Sequence, residues 1–241
     1  MRFAALASRN RKELLRDPFS LVFGVGLPLV LLLLISVLQN SIAVDIFKIE
    51  NFAPGIAVFS FSFISLFSGL LIASDRSSSF LLRIFASPLS ATDYIVSYSL
   101  PLFPLALLQA AVCFGAAFFF GLPVTVNVLL TLLVLMPAAA LFISFGLLLG
   151  SLFTDKQVGG VASIIIQVAA LTSGMWFDLN MMGGVVKAIG YALPFAHAVD
   201  ATRAALVGDW AAVLPHTLWT AGYAVVFFGV AVWGFRKQMT D

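Results

Sequence analysis

SDRSSSFLLRIFASPLSATD, residues 74–93, is a polar and basic interruption between two long apolar runs, and the rest of the chain is organised around it. Within it Phe80, Leu81, Ile84 and Phe85 share one helical face, with Arg76 and Arg83 off that face. Ser87-Pro88 stops the short helix, because proline cannot continue one and biases the preceding residue away from helical geometry. A short amphipathic helix held at the water surface between two membrane spans suits a docking element for a soluble partner; the same spacing also suits an ordinary interfacial loop.

The flanks of this stretch set the class. Of 241 residues 61% are hydrophobic and only 10% charged, and the mean hydropathy is +1.08. The apolar residues come in runs of roughly the 20 that a ~30 Å hydrocarbon core demands, so the chain reads as an all-α polytopic membrane protein. A net charge of +2 is too small to suggest nucleic acid. Cys113 is the lone cysteine, which leaves no disulfide framework and no cysteine metal site within one chain. The first apolar run follows a long charged segment without a small-residue cleavage site, and reads as a retained span.

Residues 1–17 form an amphipathic start. Phe3, Leu6, Ala7 and Leu14 fall on one helical face, while Arg2, Arg9, Lys12 and Arg16 gather on another. Such a helix lies in the headgroup plane with its basic face toward anionic lipid, and Asp17-Pro18 ends it; a plain juxtamembrane basic flank is the alternative. Six spans are expected, at residues 19–38, 52–73, 95–120, 124–153, 158–176 and 210–235, within one transmembrane domain covering 1–241. Pro28 should kink the first and Pro137 the fourth. Ser65, Gly69 and Ala73 recur every fourth residue in the second, a small-residue seam that lets helices approach closely, and Gly146 and Gly150 pair near the end of the fourth.

Residues 177–209 break the pattern. Two helical pieces, 179–191 and 195–207, flank Leu193-Pro194, and neither is long enough to cross a bilayer. The expectation is a re-entrant hairpin in the outer half of the membrane; a surface-lying external loop is the alternative. His197, Asp200 and Arg203 share one face of the second piece, as a local ion pair or as a polar latch at an outer gate. Basic residues set the orientation: with the N-terminus cytoplasmic, the inner segments carry Arg2, Arg9, Arg11, Lys12, Arg16, Arg76, Arg83, Lys156, Arg236 and Lys237, and the outer ones only Lys48, Lys187 and Arg203. Both termini and residues 74–93 are therefore expected in the cytoplasm.

The chemistry that is missing narrows the function. The expected spans carry no Asp, Glu, Lys or Arg in their interiors, and ion-coupled transporters usually need such groups. No selectivity-filter motif, HExxH, GxSxG, His/Cys metal spacing or GxxxxGK[ST] loop is present. An enzyme is not expected, and the energy for any transport must come from another chain.

Three segments carry a family resemblance: RNRKELLRDPFSLVFGVGLPLV (9–30), RSSSFLLRIFASPLSATDYIVSYSL (76–100) and LPFAHAVDATRAAL (193–206). The chain resembles a permease subunit of the ABC-2 type, a class of bacterial exporter that includes drug, lipid-linked polysaccharide and nodulation-factor systems. That resemblance implies six spans with a type V exporter-like fold, a plasma (inner) membrane location, and a working unit of two permeases and two ATPase chains. It implies no cofactor in this chain, since ATP and Mg are bound by the partner subunit. By the same resemblance residues 80–88 are the coupling element: Phe80, Leu81, Ile84, Phe85 and Pro88, with Arg76 and Arg83 facing the ATPase subunit and Arg9, Lys12, Glu13 and Arg16 as further contacts. Family members often have an Arg-Glu-x-Gly pattern just before the coupling helix; Asp75, Arg76 and Ser77 stand there here. The expected translocation path has Ser62, Ser65, Ser68, Gln167 and Thr172 as its polar groups and no fixed charge, which suits an amphipathic or hydrophobic substrate such as a drug, lipid or peptide. Two alternatives stay open: a non-transporting membrane scaffold or assembly factor that recruits a soluble partner through 74–93, and a haem-exporter-like permease of cytochrome c maturation.

Overall fold

The computed structural model describes residues 2–18, 22–39, 45–78 and 90–240, and these are almost wholly helical. In chain order they form α1 (Arg2–Arg16), a π-helical turn (Val22–Gly26) running into α2 (Leu27–Leu38), a 3-10 turn (Asp45–Phe47), α3 (Ile49–Ser77), α4 (Ala91–Ser99), α5 (Leu102–Phe118), α6 (Val126–Val134), α7 (Met136–Leu152), α8 (Asp155–Thr172), α9 (Leu179–Met182), α10 (Gly184–Ala192), α11 (Pro194–Val207) and α12 (Trp210–Thr240). The central six residues expected for coupling, Phe80, Leu81, Arg83, Ile84, Phe85 and Pro88, lie outside the described residues.

Among the described residues four helical stretches are long and apolar enough to cross a membrane: Ile49–Ser77, Thr92–Phe118, Val126–Leu152 and Trp210–Lys237. The two other expected spans are shorter. Val22–Val37 is an apolar helix below full spanning length. The 18 residues of α8 begin with Asp155, Lys156 and Gln157 and rise only about 27 Å in all. Proline placement explains the interruptions. A π-helical turn precedes Pro28, whose ring clashes with the carbonyl four residues back. Pro101 separates α4 from α5, and Pro137 starts α7 just after the break at Leu135.

Helix α3 is the hub. Of its apolar window 83% is buried, against 28% for α12, whose Leu218, Trp219, Val225, Val226 and Trp233 remain exposed as a face suited to lipid. The expected small-residue seam is where α3 meets α7. A Cβ added at Gly150 would lie 2.7 Å from the Gly69 carbonyl oxygen, and one at Gly146 would lie 2.6 Å from that of Ser65. Only glycine allows the two backbones to come this close. Along the rest of α3 the side chains of Phe52, Ile56, Phe61 and Ile64 are fully buried.

The segment before α12 is helical in more pieces than its sequence suggests. Its first half is split at Gly183 and Gly184, both with positive φ, so α9 and α10 meet at a bend. The second half, α11, is buried along Pro194, Phe195, Ala198, Val199, Ala201 and Ala205, and it packs on α12, α6 and α3. At 14 residues it rises about 21 Å, too little to cross a bilayer.

Candidate functional site

Polar side chains gather at the two ends of α3, and the expected site residues divide between them. At the C-terminal end the helix runs on past residue 73, so Asp75 and Arg76 belong to its last turn rather than to a loop. Asp75 is 4% exposed. Its carboxylate accepts from both terminal nitrogens of Arg9, one of them at 2.9 Å, and from the Tyr98 hydroxyl. Arg9 also bonds Glu13 one turn on, at 2.6 Å, and the buried Asn10 donates to the Ser97 carbonyl at 3.3 Å. These contacts lock α1 onto α3 and α4. Leu6, Ala7, Asn10 and Leu14 are buried while Arg11, Lys12 and Arg16 are exposed, but Arg9, expected on the outward basic face and among the partner contacts, turns inward to Asp75. Tyr98 is backed by Tyr94, which stacks on Phe235 of α12 at 4.0 Å between ring centroids.

Arg76, expected to face a soluble partner, turns inward instead. Its guanidinium donates to the carbonyls of Gly150, Ser151 and Phe153 at 2.7, 2.6 and 3.3 Å. Those carbonyls end α7 without intrahelical partners, and a cation there also complements the helix dipole. Two neighbouring residues on one turn thus tie three helices to α3: Asp75 takes α1 and α4, and Arg76 takes the end of α7. Ser90 with Asp93 starts α4 through reciprocal capping bonds on the far side of residues 79–89.

The polar path expected along α3 is packed differently. Ser62, Ser65 and Ser68 are fully buried, and each hydroxyl donates to a carbonyl three or four residues back on its own helix. Ser65 and Ser68 lie at the α3–α7 seam, against Gly146. Gln167 is exposed on α8, and Thr172 is partly exposed with its hydroxyl on the Val168 carbonyl.

The opposite end of α3 collects the residues expected at an outer gate. Arg203 donates from Nε to the Asn51 carbonyl at 3.1 Å and from Nη2 to the Gly174 carbonyl at 3.0 Å, and it lies 3.6 Å from Asp200 on its own helix. The other carboxylate oxygen of Asp200 accepts from Tyr191 at 2.8 Å. Burial, then the adjacent Asp200, pushes the Tyr191 phenol up to about 12, so it stays a neutral donor. His197 bonds the Tyr191 carbonyl through Nε2 at 3.0 Å and meets His216 of α12, Nδ1 to Nδ1, at 2.7 Å. A carbonyl only accepts, so Nε2 of His197 carries the proton and its Nδ1 accepts from His216. Burial, and the facing His216, hold His197 below the ordinary imidazole range.

Sequence reasoning found Arg203, Asp200 and His197 through their helical spacing. It missed His216 as the partner of His197, and Asp75 and Tyr98 as the partners that anchor Arg9: these come from other helices, and no local pattern signals them. None of the described residues forms a cluster of three or more His, Cys, Asp or Glu able to hold a metal. Residues 1–207, from α1 to the end of α11, match the family model described as ABC-2 type transporter. No curated protein matches the chain.

Proposed function

The chain belongs to the ABC-2 type transporter family, and we propose that it is the permease subunit of an ATP-driven exporter, coupled to a separate ATPase chain that docks on residues 80–88. In this reading the chain is a single transmembrane domain of six spans, with 19–38 and 158–176 completing the four longest stretches. Both termini lie in the cytoplasm of a bacterial inner membrane, and the α9–α11 segment is a re-entrant hairpin at the outer side. Supporting the orientation, Arg9, Arg76, Lys156 and Arg236 lie at the α1 end of the bundle, and Lys48 and Arg203 at the other. The substrate is amphipathic or hydrophobic, and it passes between two copies of the chain along the face of α8 that exposes Gln167 and Ile164.

The observation that carries the reading is the pair Asp75 and Arg76. They close the last turn of α3 immediately before the docking segment, and between them they grip α1, α4 and the end of α7. A push by the ATPase on Phe80, Phe85 and Arg83 reaches all of these helices through one turn of helix, with Lys12 and Arg16 on the exposed side of α1 as further contacts. The test is reconstitution of the permease with its ATPase in liposomes. Arg83→Glu, or Phe80→Ala with Phe85→Ala, should cut export about tenfold or more while leaving the chain folded and inserted. Export at the normal rate in both variants would remove the docking assignment.

A further inference from the structure

Beside the Arg203 cluster lies a half-open cavity of about 720 Å³ that none of the contacts above fills. It sits where the Asp45–Phe47 turn and the start of α3 face the loop before α9, and its size is within the range of sites that hold drug-sized ligands. Its walls are aromatic and sulfur-rich. Phe47 and Trp176 are fixed edge-on against Phe52, with centroids 6.0 and 5.7 Å away. Phe177, Met181 and Met182 are exposed at 43%, 87% and 52%, large apolar groups left uncovered around a concave surface. Methionine is the side chain best able to repack around ligands of differing shape.

The charges decide what such a ligand carries. Asp45 is paired with Lys48 at 2.7 Å. Arg203 is balanced by Asp200 and by two carbonyls. Asp178 remains: one carboxylate oxygen accepts the Asn180 backbone N–H at 2.8 Å, and among the described residues it has no ion-pair partner. Arg203 lines the same cavity and its field reaches Asp178. With Asp45 paired to Lys48 and Arg203 to Asp200, the group still keeps one negative charge in excess, on Asp178, beside the rings of Trp176 and Phe177, whose faces also attract cations.

We propose that this cavity binds a monovalent organic cation with an apolar body, the cation against Asp178 and the body between Phe47, Trp176, Phe177 and the two methionines. The proposal gives the export reading a substrate class and rests on that reading only for the cavity lying on the substrate's route; binding itself requires neither ATP nor a partner chain.

The test uses two probes of nearly the same shape and opposite charge, tetraphenylphosphonium and tetraphenylborate, titrated onto the purified full-length chain in detergent with tryptophan fluorescence as readout. Asp178→Asn keeps a good helix N-cap, so α9 should survive the change. It should weaken the phosphonium roughly three- to tenfold and leave the borate unchanged or tighter. Phe177→Ala should weaken both probes, because the wall does not distinguish charge. If Asp178→Asn leaves phosphonium affinity unchanged, or weakens both probes equally, the cation site is wrong and the aromatic rim is an interfacial belt that partitions apolar ions. If binding behaves as expected while the reconstituted complex fails to transport the phosphonium, the site stands and the route does not.

Discussion

The two ends of α3 neutralise charge in different ways. At the C-terminal end a carboxylate that is 4% exposed depends on an arginine 66 residues away in sequence, on a helix that packs against the bundle from outside. At the N-terminal end the charge is balanced within α11 by Asp200, and the bonds that reach α3 and the 173–178 loop go to neutral carbonyls. Undocking α1 leaves a buried carboxylate without its cation, which costs several kcal/mol. Separating Arg203 from Asn51 and Gly174 costs only hydrogen bonds to a charged donor, of order 1.5–3 kcal/mol each before water replaces them. The α1 end is therefore a joint held by an ion pair between helices, and the opposite end a latch whose bonds to α3 and the 173–178 loop carry no counter-charge.

The largest effect should come from breaking the joint. Arg9→Met strands Asp75 and should lower stability by about 3 kcal/mol, discounted from a fully buried pair because Arg9 is about one-third exposed. The double variant Arg9→Met with Asp75→Asn should recover most of the loss in thermal melts, since it removes both charges. A double variant no more stable than Arg9→Met would mean that the contact acts through packing and not through charge. Next comes the seam that connects the two ends. Gly150→Val places a side chain 2.7 Å from the Gly69 carbonyl oxygen and should cost about 2 kcal/mol, read from the same melts, with both ends loosened together in hydrogen exchange. At the latch, Arg203→Lys keeps the charge but loses the planar fork that reaches two carbonyls. It should cost about 1 kcal/mol, and exchange should rise around residues 174–178 without rising in α1. Faster exchange in α1 as well would erase the distinction between the ends.

The smallest effect is a pH dependence confined to the latch. His197 is depressed in the folded protein, so the unfolded chain binds the extra proton first as pH falls. The stabilisation is present above about 6.5, the unfolded imidazole value, and is lost as pH drops through the lower folded value. Protonating His197 also removes the Nδ1 acceptor that His216 uses. Melting temperature should fall between pH 7.5 and 5.5 in the wild type, and less so in His197→Gln. An unchanged slope in His197→Gln would place the sensitivity elsewhere.

What the sequence made legible follows the range of the forces involved. The buried face of α1, the breaks at Pro28 and Pro137, the small-residue seam and the helix after Leu193 rest on spacings of a few residues, and the structure has them, while the piece before Leu193 is split at Gly183 and Gly184. Span ends were less legible. The apolar run stops at residue 73, but α3 continues through Ser77 because Arg9 and Tyr98 make a burial site for Asp75 that no local pattern announces. Serine was ambiguous for a chemical reason. A hydroxyl satisfied by its own helix can line a pore or fill a seam equally well; Ser62 is buried, and Ser65 and Ser68 lie at the seam beside Gly146. Arg76 read as a surface cation, yet it is held by the open carbonyls at the end of α7, a helix about 75 residues further on.

The central claim is that the α1 end receives a separate ATPase, and the most direct measurement is a mild-detergent pulldown of the full chain from its host, with mass spectrometry of what stays bound in stoichiometric amount. The account predicts a soluble chain carrying a GxxxxGK[ST] phosphate-binding loop, present with the wild type and depleted with Arg83→Glu. Recovery of the chain alone, or with membrane proteins only, would contradict it.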